Sequence, residues 1–160
     1  MTFAVGERVV HPSHGAALVE KLETRRIDGE DRAYLVLRIA SNGMVVHVPA
    51  CKVDLVGVRQ VIDGAGREGV VAALRADESE DSLSWSSRYR ANTAKLRCGE
   101  AIRVAEVVRD LWRRDRARGL SAAEHRMFAE ARQILVSELA VCDNTDVEGA
   151  GSLLDELLAG

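Results

Sequence analysis

The run Ser84-Trp85-Ser86-Ser87-Arg88-Tyr89-Arg90 gathers side chains that suit a polyanion carrying flat bases. Its two aromatic rings lie four positions apart, interleaved with Arg88 and Arg90, and Lys95 and Arg97 follow. Cationic side chains displace counterions from phosphate, and an exposed ring can enter an unstacked base step. Aromatic residues make up only 4% of the chain, so their pairing here departs from its composition. On a helix such a pair more often belongs to the core. Here the acidic, turn-prone stretch Asp77-Glu78-Ser79-Glu80-Asp81-Ser82 comes just before and places Trp85 at a helix start. Free N–H groups and the positive end of the helix dipole lie there, and Ser84, Ser86 and Ser87 add donors. The expected chemistry is non-covalent: phosphate on Arg88, Arg90, Lys95 and Arg97, and a base step met by Trp85.

Catalytic groupings are weaker. Gly64-Ala65-Gly66-Arg67-Glu68-Gly69 matches G-x-G-x-x-G letter for letter. In a dinucleotide site those glycines lie in a strand-to-helix turn inside a βαβ unit. Here the helical stripe that follows, Val70 to Arg75, is short, and an acidic loop takes the place of the second parallel strand. A glycine-rich connection between two modules is the expectation. His11 and His14 are close, with Cys51 the nearest thiol, but no Cys or His pair at zinc spacing completes a site. Both histidines are expected in a turn. Ser, His and Asp occur without a G-x-S-x-G elbow. No catalytic residue, metal or cofactor is expected.

Two halves of different periodicity must position these groups. Arg8 to Val10, Ala17 to Ile27, Ala33 to Ile39 and Met44 to Val48 read as strands, separated by turn signals at Gly15, Asp28-Gly29 and Asn42-Gly43. Leu35, Leu37 and Ile39 face one way and Tyr34, Val36 and Arg38 the other. A small, strongly bent antiparallel sheet or barrel follows, and its edge strands could pair with another protein. From residue 64 the apolar spacing is helical. Trp85, Tyr89 and Leu96 suit one face, and Val104, Val107, Val108, Leu111 and Trp112 form a strong stripe that places Trp112 in a core. Gly119 ends that helix, and Ser121 with Glu124 makes a capping box for the next, whose apolar face is Met127, Ala131, Ile134, Leu135 and Leu139. A last short helix carries Leu153, Leu154, Leu157 and Leu158 after a polar break at Asp143 to Gly151. The fold class is α+β: a β module over 1–60, a connecting helix and acidic loop over 61–83, and a helical module over 84–160.

The 160 residues hold 47% hydrophobic and 29% charged side chains, the balance of a folded globular chain. There is no apolar run long enough for a membrane span and no secretory leader, and three dispersed cysteines form no disulfide framework. The expectation is a cytoplasmic monomer. The net charge of −3 hides segregation, because residues 84–118 carry +6 while 61–83 carry −4 and 119–160 carry −6. Phosphate binding follows local charge, not the average.

The segments Val9-Val10-His11-Pro12-Ser13-His14-Gly15-Ala16-Ala17, Tyr34-Leu35-Val36-Leu37, Val56-Gly57-Val58-Arg59, Trp85 to Asn92 and Val104 to Trp112 resemble the CarD/CdnL family of bacterial RNA polymerase-binding transcription regulators. The match continues through Gly119-Leu120-Ser121 and Ala131 to Leu135. The resemblance implies a Tudor-like N-terminal module that binds the RNA polymerase β subunit through Arg25 and position 47. It also implies a helical module on promoter DNA at the upstream edge of the bubble. There Trp85 would enter the minor groove, with Ser86, Arg88, Tyr89, Arg90, Lys95 and Arg97 at the backbone, stabilising the open complex. The protein would then be nucleoid-associated through polymerase. The chain departs from the family pattern at Ser13, at His47 and His125 (basic residues in the pattern) and at Ser87, which removes a cation; it looks like a divergent paralogue. An alternative is a polymerase-binding adaptor or antagonist whose DNA contact is weak or lost.

Overall fold

The apolar spacing changes from period two to helical near residue 60, and the structure, a computed structural model describing residues 2–77 and 84–160, changes with it. Strands β1 (Arg8–His11), β2 (Gly15–Ile27), β3 (Glu30–Ile39), β4 (Val45–Pro49) and β5 (Arg59–Gln60) form one antiparallel sheet in the order β4-β3-β2-β1-β5. The long β2–β3 hairpin turns at Asp28 and Gly29, with φ of 52° and 81°. Asp tolerates that left-handed region and Gly is indifferent to it, which is why Asp-Gly marked the turn. Between Val19 and Lys21 the β2–β3 register shifts by a bulge, which bends the hairpin. Leu35, Leu37 and Ile39 do share a buried face, packed with Phe3, Val9, Ala17, Val19, Val48, Val53 and Val58. Val36, on the opposite face, is buried as well. The sheet stays open, with β4 and β5 as its outer strands; β5 is too short to have shown itself as an apolar run.

A single turn, α1 (Val53–Val56), precedes β5. The helical module comprises α2 (Gly64–Arg75), α3 (Trp85–Cys98), α4 (Ala101–Arg118), α5 (Ala122–Cys142) and α6 (Val147–Ala159). Two expectations are corrected here. The glycine run is not a connection but the first turns of α2, started by Asp63, whose carboxylate accepts from the Gly66 N–H at 2.9 Å. A Cβ on Gly66 would fall 2.8 Å from the Ile62 Cβ, and one on Gly69 3.0 Å from the Ile102 Cδ1, so these glycines serve close packing. The polar break after α5 is also shorter than expected, because Asp146 caps α6 by accepting from the Gly149 N–H at 2.7 Å. The acidic loop expected around Asp77 to Ser82 lies, from residue 78 to 83, outside the described residues.

The α4–α5 hairpin forms as its periodicity required, with Gly119 at a φ of 81° ending α4 and the Ser121/Glu124 capping box starting α5. Val104, Val107, Val108 and Leu111 meet Ala131, Ile134, Leu135 and Leu139, and α2 and α6 close the same core with Val70, Leu74, Leu154 and Leu157. Trp112 packs only at the core's margin, half-buried beneath the Arg116 guanidinium, whose carbon lies 4.6 Å from the ring centre.

Helix α5 also joins the modules. Its Glu138 carboxylate, 1% exposed, accepts two hydrogen bonds from Arg59 at 2.6 and 2.7 Å and a third from the Ile62 N–H at 2.9 Å. At the preceding residue the Ser137 hydroxyl accepts from the Ala16 N–H at 2.9 Å. Among the described residues no helix is long and apolar enough to cross a membrane.

Candidate nucleic-acid interface

Helix α3 begins at Trp85 because Ser84 adopts an extended backbone and its hydroxyl accepts from the Ser87 N–H at 3.3 Å. The indole therefore leaves the first position of the helix and is 46% exposed. One face stacks on Tyr89, with ring centres 5.2 Å apart and planes 13° from parallel. Its N–H edge points into the protein, donating to Glu124 Oε1 at 3.1 Å and lying 3.4 Å from the Ser121 hydroxyl. Tyr89 is half-buried against the core, so the aromatic pair runs from interior to surface.

The cations divide. Arg90 and Arg97 are exposed, as a phosphate contact requires, and so is the neutral Ser86. Arg88 is not on the surface: only 9% exposed, it turns toward Glu124, with Nη2 3.9 Å from Oε2. Lys95 is likewise drawn inward, 2.9 Å from Glu106 on α4. Burial alone would raise the Glu106 pKa, but Lys95 and Arg103 outweigh it and hold the carboxyl below its ordinary value. The expectation that Arg88 and Lys95 lie open to phosphate is thus corrected, since each faces a carboxylate on another helix. The basic segment is less basic at its surface than its composition suggested, because Arg103, Arg109 and Arg114 also pair with acids.

Sequence reasoning missed the wider role of Glu124, read there only as half of a capping box. It is 4% exposed, and besides the indole it accepts from the Ser121 N–H and hydroxyl at 3.3 and 3.0 Å. Beyond Tyr89 a groove of about 730 Å³ follows α3, lined by Thr93, Leu96 and Arg97 and across it by Arg126 of α5. Arg126 is exposed, but no second cation beside it singled it out in the sequence.

The second predicted pair lies on the sheet. Arg25 on β2 and His47 on β4 come together, Nη2 to Nε2, at 3.0 Å. Glu23 joins them, 3.0 Å from Arg25 and 3.6 Å from His47, and the Arg25 guanidinium lies 5.6 Å from the centre of the Tyr34 ring. Desolvation works against the Glu23 carboxylate, yet Arg25 and Lys21 hold its pKa below the ordinary value. Arg25 and His47 are exposed, so a single patch on the sheet face carries both. Among the described residues no group of three or more His, Cys, Asp or Glu is placed to hold a metal.

Two family models cover most of the chain: "CarD-like/TRCF RID domain" matches residues 3–62 and "CarD, C-terminal domain" residues 69–155. The Bacillus subtilis (strain 168) protein YdeB, named as a candidate transcription factor, is 35% identical over 87% of this chain and 91% of its own. Two solved structures are also similar. The 72-residue N-terminal domain of Myxococcus xanthus CarD is 36% identical, with 37% of this chain and 79% of that one covered at a TM-score of 0.32. The N-terminal part of CdnL from the same organism is 35% identical, with 39% and 87% covered at a TM-score of 0.34.

Proposed function

The chain belongs to the CarD family of transcription factors, and from that premise we propose that it binds RNA polymerase through its sheet and holds promoter DNA open with Trp85. The sheet patch around Arg25 and His47 faces the polymerase β subunit. The helical module meets DNA at the upstream edge of the bubble, with Trp85 in the minor groove, Ser86, Arg90 and Arg97 on phosphate, and Arg88 and Lys95 shaping the helix that presents them. No reaction is catalysed; the protein acts as a monomer in the cytoplasm, at the nucleoid.

One observation carries the reading: a large ring, 46% exposed at the start of a helix and fixed by its N–H edge, on the same helix as exposed Arg90 and Arg97. Promoter opening is an isomerisation, so a ligand shifts it only by binding the open form more tightly. Stacking on an unpaired base supplies about 1–3 kcal/mol of that difference. Few phosphate contacts are needed, because attachment to polymerase raises the local concentration of the helical module at the DNA. Trp85→Ala should shorten open-complex lifetime by about 5- to 100-fold while leaving polymerase binding intact, and an unchanged lifetime would refute the wedge. Arg25→Glu should weaken a pull-down with the β subunit; full retention moves that interface elsewhere.

A second reading has one observation in its favour: Arg88 and Lys95 face carboxylates instead of solvent, which leaves few cations for DNA. An adaptor that binds polymerase without engaging the promoter would leave the DNA footprint of polymerase unaltered.

A further inference from the structure

We propose that Glu124 is a positioning residue for Trp85, an inference that rests on the wedge reading above. A capping box requires only that the third helical residue accept from the cap N–H, and glutamine meets that need as well as glutamate. Glu124 does more. Oε1 accepts from the indole N–H at 3.1 Å, from the Ser121 N–H at 3.3 Å and from the Ser121 hydroxyl at 3.0 Å. Oε2 faces Arg88 Nη2 at 3.9 Å and Arg114 Nε at 3.8 Å. A carboxylate 4% exposed thus ties α3, α4 and α5 together at the point where the ring leaves the surface.

The geometry constrains the ring twice. Tyr89 supports one face, which sets the plane of the indole, and Glu124 holds the N–H edge, which sets its rotation within that plane. Without the second constraint an exposed tryptophan samples several rotamers, and only a fraction of molecules present the ring in the binding pose. Holding the ring beforehand removes that ordering cost from DNA binding. The two cations across from Oε2 keep the carboxylate in place while it accepts, so Arg88 acts on the ring through Glu124.

The test uses the full chain with ¹⁵N-labelled indoles, and polymerase–promoter complexes for the functional readout. In Glu124→Ala the Trp85 indole N–H should exchange with solvent roughly tenfold faster, and open-complex lifetime should fall roughly threefold or more. Glu124→Gln, which keeps an acceptor, should restore most of both. Ser121→Ala removes the cap hydroxyl but keeps the carboxylate, so its indole should stay better protected than that of Glu124→Ala. Unchanged exchange in Glu124→Ala overturns the assignment. So does a Ser121→Ala effect of equal size, which makes the cap the cause, and so does a further loss of lifetime when Glu124→Ala is added to Trp85→Ala. If Trp85→Ala itself leaves the lifetime unchanged, the wedge reading fails, and the exchange rates still decide what Glu124 does to the ring.

Discussion

His11 shows how burial sets the chemistry of a single group. Its ring is 8% exposed at the end of β1, 4.7 Å from the ring of His14, and Nδ1 accepts from the Ser13 N–H at 3.1 Å. Desolvation first and His14 second lower its pKa from 6.5 to about 4. Between those values the unfolded chain takes up a proton that the folded chain refuses. Stability is therefore full above pH 6.5 and falls as the pH drops toward about 4. Urea denaturation across that window should show a loss of up to about 3 kcal/mol, and His11→Asn should remove most of it, leaving what carboxylates such as Glu23 and Glu106 lose at its acid end. On the helical module, Arg90→Ala and Arg97→Ala should each reduce the salt dependence of promoter binding by about one unit of slope, measured with polymerase present. Arg88→Ala should instead act through the indole. The difference between these arginines was invisible in the sequence. Arg88 and Arg90 are two positions apart in the same polar run, and what separates them is Glu124, 36 residues further on and brought in by tertiary packing.

At the scale of elements, α2 shows the same limit from another side. Its first residues match the G-x-G-x-x-G dinucleotide pattern because glycine serves any close approach, whether to a pyrophosphate or to a neighbouring side chain. Here the neighbours are Ile62 and Ile102. Gly66→Ala would place a Cβ 2.8 Å from that of Ile62, an atom rooted in the backbone that cannot swing aside. The expected cost is about 1–3 kcal/mol, read as a lowered denaturant midpoint. The α4–α5 hairpin, by contrast, was legible apart from the marginal place of Trp112 and the wider contacts of Glu124. Its stripe repeats over several turns, and Gly119, Ser121 and Glu124 punctuate it with local chemistry that needs no distant partner. The β2–β3 hairpin was equally plain, since Asp28-Gly29 fixes the turn and alternation fixes the face. Strand β5, two residues long, exists only because β1 offers it an edge.

For the whole molecule, the junction between sheet and helices rests on α5. Gly15 adopts a φ of 80°, and a Cβ there would fall 2.5 Å from the Ser137 hydroxyl and 3.3 Å from the Ile134 backbone. Glu138 is buried beneath the forked guanidinium of Arg59, which also donates to the Gly99 carbonyl at 2.9 Å. Glu138→Ala would leave Arg59 and the Ile62 N–H facing an empty site. It should cost about 3–5 kcal/mol of folding free energy, measured by chemical denaturation. Arg59 stood out only as part of a segment shared with the family and Glu138 not at all, because a charge buried in partnership looks like any other charge until the fold closes over it. The clamp has a mechanical meaning as well. With the sheet and the bundle joined at α5 through Glu138 and Ser137, the function proposed above would make the patch at Arg25 and the ring at Trp85 the two jaws of a caliper. On that proposal the protein sets the opening, and the promoter would have to bend or slip when its melted edge falls a base pair out of reach.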